Sequence, residues 1–179
     1  MYQSIGDNYQ NSKLLLVLHN ADDRILEHED YRQVLGGTKT GKTLNTILRR
    51  SHLTLEDVAI TNMVKCTFPN NKPTKESYQN CSGLLENQVK ELNPQAIITF
   101  GQPTYQSIFN DKQTNLTEAK AIENTYQDIP ILSTIHPYAI WAKINPEKQK
   151  PYIEKIQQFL LKHNITEQIH IPEQQQKLF

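Results

Sequence analysis

The sequence predicts an α/β domain: a three-layer α/β/α sandwich around a central four-stranded parallel sheet. Two observations lead there. Four short apolar runs, Leu14–Leu18, Val58–Thr61, Ala96–Phe100 and Ile129–Ile135, lack the apolar–polar alternation of a half-exposed strand. Near-continuous apolar runs mark strands covered on both faces, as in a parallel sheet. Segments of helical period lie between and after these runs, and strands that alternate with helices fold as right-handed crossover units.

The elements follow in order. After LLLVL (14–18), Leu44, Ile47 and Leu48 recur at i, i+3, i+4. After the second run, Cys81, Leu84, Leu85, Val89 and Leu92 line one helical stripe, with Pro73-Thr74 as its start signal and Asn93-Pro94 as its stop. Tyr105, Ile108 and Phe109 predict a short helix after Gly101. Ile153, Ile156, Phe159 and Leu160 mark the last helix, with Pro151 expected in its first turn and the cations Lys162 and His163 in its last. The polar stretch Asn110–Asp128 is expected to be an exposed excursion. From Asn164 the chain is polar and Gln-rich, so residues 1–163 read as one domain and 164–179 as a tail.

Composition narrows the function classes. A length of 179 residues suits a single domain. Lys+Arg and Asp+Glu are 19 each, which excludes a uniformly basic nucleic-acid coat and an acidic solvating tail but not a local basic stripe. The 2 cysteines, Cys66 and Cys81, are too few for a disulfide scaffold or a four-thiolate metal site. No apolar run approaches the roughly 18 residues of a membrane span. A cytoplasmic monomer with reduced thiols and no membrane partner is expected.

In parallel sheets ligands bind at the carboxyl ends of the strands. The segments to read are therefore His19–Asp23, Asn62–Cys66, Gly101–Pro103 and His136–Tyr138. Residues 36–43, GGTKTGKT, also match the pattern of a phosphate-cradling loop. That loop needs a buried strand directly before its first Gly. Here HEDYRQVL precedes it, and no apolar strand ends in the Asp that would hold Mg²⁺. The segment reads instead as a Gly/Lys loop capping the Leu44–Arg50 helix, with a P-loop nucleotide hydrolase as a remote alternative. Lys39 and Lys42 are candidates for contacts to a nucleic-acid phosphate.

Two blocks carry a resemblance. ITNMVKCTFPNNKPTKESYQNCSGLLENQVKELNPQAIITFGQPTYQSIF (60–109) and ILSTIHPYAIW (131–141) resemble the uracil-DNA glycosylase superfamily, and are most similar to its iron–sulfur bacterial and archaeal branch. The resemblance implies hydrolysis of the N-glycosidic bond of a uracil or other altered base, swung out of DNA into a pocket during repair. Such a reaction leaves a base anion and a cation-like sugar. His136 matches the superfamily's histidine, a donor that stabilises the developing anion as an oxyanion hole does. Asn62 matches the base-reading Asn, whose amide can donate to one edge atom and accept from the next; His19 is a further base-binding candidate. Asn20, or the nearby carboxylate of Asp22, would hold the attacking water. Tyr138–Trp141 occupies the place of the loop that fills the gap in the duplex, with Ile140 and then Trp141 as the wedge and Lys143 as a phosphate contact.

The chain departs from the family pattern in three places. The first motif, usually rich in Gly and containing Pro, is LHNAD (18–22). The stretch Val34–Gly37 lacks the aromatic ring that the iron–sulfur branch lays on the flipped base, and Tyr31 is the nearest aromatic. Cys66 and Cys81 fall where the branch has its second cysteine pair, but no first pair precedes them. No cofactor and no metal are therefore expected. The altered first motif also supports an alternative, a catalytically weak or inactive DNA- or partner-binding protein on the same fold.

The last five residues, QQKLF, resemble the pentapeptide by which bacterial repair and replication proteins dock on the sliding clamp. Gln175 would be the polar latch and Leu178 and Phe179 the apolar anchors. DNA and the clamp are thus the expected partners.

Overall fold

A computed structural model describes residues 11–21, 35–68, 70, 72–117, 121–143 and 146–167, and for 141–148 no side chains. Strand β1 (Leu14–Asn20) runs between β2 (Ala59–Val64) and β3 (Ala96–Phe100). Beyond β3 lie β5 (Ile129–Thr134) and, at the edge, β4 (Ile122–Tyr126), in the order β2-β1-β3-β5-β4. The pairs β1/β2, β1/β3 and β3/β5 are parallel, and β4 pairs antiparallel with β5.

The sheet therefore has five strands where four were expected. The additional strand, β4, comes from the segment read as an exposed excursion. As an edge strand its three central residues, Glu123 to Thr125, are exposed, so it carries no apolar run to announce it. Its turn is equally quiet in sequence. Gln127 and Asp128 both adopt positive φ, 51° and 65°, the conformation of a two-residue hairpin turn that Asn-Gly or Asp-Gly usually signals.

The strands also outrun their apolar stretches. β1 continues through His19 and Asn20, and β2 through Asn62 to Val64. These polar residues were expected just after the strands and lie inside them.

Helix α1 (Lys39–Arg50) begins at Thr38, whose side chain accepts a hydrogen bond from the Gly41 N–H at 2.9 Å. The Thr38 hydroxyl and N–H both bond the Leu35 carbonyl, at 2.7 and 2.9 Å. A Cβ on Gly41 would lie 1.8 Å from that carbonyl oxygen. The phosphate-loop match is thus a capped helix start packed against Leu35, and its second glycine serves backbone contact.

Helix α2 (Lys75–Leu92) opens on a capping box between Thr74 and Ser77 and stops at Asn93 in the left-handed conformation. Helix α3 (Gln102–Phe109) follows Gly101, whose φ of 98° only glycine adopts readily. A short α4 (Pro137–Lys143) and a long α5 (Pro146–Lys162) end the described fold. Pro151 lies inside α5, not in its first turn as expected. Pro146 takes the start. The burial of Tyr152, Ile153, Ile156, Phe159 and Leu160 holds the helix together past the missing N–H.

Each face of the sheet has its own core. Leu14, Leu16, Leu18, Ile98, Phe100 and Leu132 pack against α1, α4 and α5. Leu15, Val17, Ile97 and Ile131 pack against Leu85, Val89 and Leu92 of α2, with Ile108 and Phe109 of α3 alongside. This is the three-layer arrangement expected, and it leaves the carboxyl ends of the parallel strands facing one way. No helix among the described residues is long and apolar enough to cross a membrane.

Candidate active site

The carboxyl edge is where the polar residues gather. β5 ends at Thr134, and the turn Ile135-His136-Pro137 leads into α4. Two contacts hold that turn. The Tyr152 hydroxyl donates to the Ile135 carbonyl at 3.3 Å, and the Gly101 N–H donates to the Thr134 carbonyl at 2.8 Å. The His136 ring lies against Gly101, where an added Cβ would sit 3.9 Å from both Cβ and Cδ2 of the histidine.

The Tyr138 N–H donates to His136 Nδ1 at 3.3 Å. A ring nitrogen that accepts carries no proton, so the neutral imidazole keeps its hydrogen on Nε2. Burial, and secondarily the charge of His19, lowers the pKa of His136 from 6.5 to about 4. At pH 7 His136 is therefore a neutral ring with an Nε2–H to donate.

His19 stands near it at the end of β1. Its Nε2 hydrogen-bonds the phenol of Tyr78 on α2, and the two rings stack with centroids 5.7 Å apart at 27°. Burial lowers its pKa and a bond to the Asn20 side chain partly offsets this. Asn20 donates from Nδ2 to the Ala21 carbonyl at 3.0 Å.

Asn62 is 1% exposed and pairs in register with Leu18, with Asn20 opposite Val64 two residues on. Below it lies a buried polar network. Lys65 Nζ donates to the Asn62 carbonyl at 2.6 Å and to Thr61 Oγ1 at 2.7 Å, and bonds Gln88 Oε1 as well. Gln88 also accepts from the Thr61 hydroxyl at 2.9 Å. Burial depresses Lys65 from 10.5 to about 8, and the Cys81 thiol opposes that only in part. The Lys65 N–H donates to Cys81 Sγ at 3.4 Å.

Of the predicted site residues, the structure brings His19 and His136 within electrostatic reach of one another. Asn20 and Asn62 lie on the two adjacent strands beside them. Ile140 requires a correction. It is 0% exposed, part of the core under α4, and so is no wedge. Two residues before it, on the opposite side of the helix, Tyr138 at 41% is the exposed large hydrophobic of this region. Lys39, at the start of α1, holds its Nζ 5.9 Å from the centre of the Tyr138 ring. Lys42 is exposed on the same helix. Trp141 and Lys143 lie on α4 with side chains outside the description, and Asp22, Tyr31, Gln175, Leu178 and Phe179 lie outside the described residues altogether.

Sequence reasoning gave Tyr78 no place, and within the loop Tyr138–Trp141 it chose Ile140 and then Trp141 over Tyr138. Tyr78 shows no signal, being an aromatic on a half-buried helix. Tyr138 had one, its place directly after His-Pro. Gln102, which follows β3, is structural: its amide donates to the Thr114 carbonyl and accepts from the Leu116 N–H, both at 2.7 Å, pinning the following loop.

Among the described residues no group of three or more His, Cys, Asp or Glu is arranged to hold a metal. An iron–sulfur cluster takes four thiolates. Cys81 is buried against the Lys65 backbone and Cys66 is exposed, and these are the chain's 2 cysteines. Two thiols do not fit that ligand set.

Residues 10–160 match the family described as the uracil DNA glycosylase superfamily. The chain is 33% identical over 120 residues to a type-4 uracil-DNA glycosylase of Archaeoglobus fulgidus, covering 63% of this chain and 59% of that one. It is 28% identical over 121 residues to one from Thermotoga maritima, with 66% and 63% covered. To one from Sulfurisphaera tokodaii it is 27% identical over 154 residues, with 81% and 67% covered. The chain thus spans about three fifths of the length of the first two relatives.

Proposed function

Since this chain belongs to the uracil DNA glycosylase superfamily, we propose that it hydrolyses the N-glycosidic bond of uracil or another altered base flipped out of DNA. The observation that carries this reading is the state of His136. A neutral imidazole with its proton on Nε2, fixed by the Tyr138 N–H and low enough in pKa to stay neutral, is the donor a departing base anion needs. Neutrality matters because a charged ring would titrate with the substrate instead of acting as a fixed dipole.

Asn62 reads the base edge. β2 and β3 flank β1, so their ends lie about 10 Å apart, and His136 rests on Gly101 at the end of β3. This spacing supports one planar base held over the end of β1 between Asn62 and His136. Asn20, or Asp22 beyond it, holds the water, and His19 lines the same edge. Tyr138, in place of Ile140, contacts the nucleotides beside the flipped one. Lys39 and Lys42 meet the phosphates, joined by Lys143 of α4, and Trp141 is the wedge that fills the gap in the duplex. Residues 1–163 form the catalytic domain of a cytoplasmic monomer, and the tail, through Gln175, Leu178 and Phe179, docks on the sliding clamp.

The test uses single- and double-stranded oligonucleotides carrying uracil, hypoxanthine or xanthine, scored for abasic sites. Excision of at least one base, lowered on the order of 10²-fold or more by His136→Ala, is the expected result. Binding without excision of any base would instead select the inactive DNA-binding reading, which the altered first motif favours. Loss of clamp binding on deletion of Leu178 and Phe179 is expected, and unchanged binding would remove the tail assignment.

A further inference from the structure

If the chain excises a base as proposed, some group must take a proton from the attacking water. The amide of Asn20 cannot, because an amide is not a base near neutral pH. Among the described residues at this edge, the group of suitable chemistry is His19. β1 directs it to the α2 side, where its Nε2 is bonded to the Tyr78 phenol and its ring stacks on that of Tyr78. Tyr78 is itself well anchored. It is the fourth residue of α2, directly after the Thr74–Ser77 capping box, and packs against the α2-side core.

We propose that His19 is a catalytic residue, accepting the water proton at Nδ1, and that Tyr78 is its positioning residue. In the tautomer this role requires, the Nε2–H donates to the phenol oxygen and Nδ1 is the acceptor. As the water oxygen bonds to C1′, the C1′–N bond breaks and its electron pair goes to the base, held by His136 Nε2–H. The water proton moves to His19 Nδ1, and the resulting imidazolium returns it, through solvent, to the base anion. Atoms and charge balance as water plus nucleotide giving the free base and an abasic sugar. The coupling of the two rings helps this order of events. A proton on His19 makes protonation of His136 harder, so His136 stays a neutral donor while negative charge builds on the base.

Among the described residues the groups around His19 are Tyr78, Asn20 and His136. Its lowered pKa places the acidic limb of the reaction below 6.5. Once His19 is removed, the limb that remains belongs to His136, held down by burial alone.

The experiment is single-turnover excision by the full chain, followed against pH, on an oligonucleotide carrying a base that the unsubstituted protein releases. His19→Gln is expected to lower the rate on the order of 10²-fold and to remove the His19 limb from the pH profile. Affinity for the same strand with an abasic analogue should stay within about threefold, since the water-activating group does not carry phosphate binding. Added imidazole should restore activity to His19→Gly, and Tyr78→Phe should shift the acidic limb with a smaller loss of rate. A His19→Gln enzyme with wild-type rate and limb overturns the proposal while His136→Ala still tests the excision reading. If His19→Gln does not fold, an unshifted limb in Tyr78→Phe overturns it. If the unsubstituted protein releases no base at all, the excision reading fails and this assignment fails with it.

Discussion

The two faces of the sheet are built differently. Toward α1, α4 and α5 the interior is almost wholly apolar, with Leu14, Leu16, Leu18, Phe100, Tyr152 and Phe159 in one cluster. Toward α2 it carries polar pairs in its depth: Thr61, Gln88 and Lys65, and Thr99 with Ser133 at 2.9 Å. The polar face is also the one on which His19 meets Tyr78. Apolar packing is non-directional and tolerates small shifts, whereas a buried hydrogen bond fixes donor and acceptor to a few tenths of an ångström. The α2 side therefore sets positions, and the α5 side supplies most of the cohesion.

Phe159→Ala attacks cohesion and should show the largest effect. The ring is 1% exposed, and its removal is expected to lower unfolding stability by about 3–5 kcal/mol, measured by urea titration. A change below about 1 kcal/mol would erase the contrast.

Lys65→Met tests the polar face through pH. In the folded chain Lys65 is lowered from 10.5 to about 8, so the unfolded chain binds more protons between those values and stability rises with pH there. The burden of holding the ammonium is fully present below 8 and is relieved toward 10.5, an effect on the order of 3 kcal/mol at most. Wild-type stability should climb across that window and the Met variant should not, apart from other titrating groups common to both. Identical slopes would mean that folding does not shift the titration of the Lys65 amine.

Smaller still is Thr99→Val, which strands the Ser133 hydroxyl and is expected to cost about 1–3 kcal/mol. Adding Ser133→Ala should recover most of it. Failure of the second substitution to rescue the first would show that the pair does not act as a unit. At the exposed end, Tyr138→Ala should change stability by less than about 0.5 kcal/mol. It should nonetheless weaken DNA binding in an electrophoretic or anisotropy assay, as expected of a residue 41% exposed at the rim.

Much of the apolar face was legible in the sequence, because continuous apolar runs and the helical stripe of Ile153, Ile156, Phe159 and Leu160 report burial directly. The central strands were found for the same reason, β3 to the residue. The polar strand ends were harder to read. His19, Asn20 and Asn62 looked like post-strand residues because hydropathy falls where they begin, yet backbone pairing continues through them. Motif resemblance picked out His136 and Asn62, whereas the Tyr78 contact joins residues 59 apart with no pattern to link them. Ile140 was misread because its position in the loop order was right while helical phase turned it inward. The edge strand escaped because an exposed strand next to solvent has no hydropathy to show.

That edge strand matters for the life of the molecule outside the reaction. Without β4, the last parallel strand would offer a bare row of amide and carbonyl groups, a template on which another copy could build. The hairpin replaces it with five residues whose centre is Glu-Asn-Thr, tied by Lys162 to Glu123 at 2.6 Å. A short, charged margin of this kind discourages strand-to-strand growth between molecules, and so protects the chain during the interval when it is folded but not yet engaged with a partner.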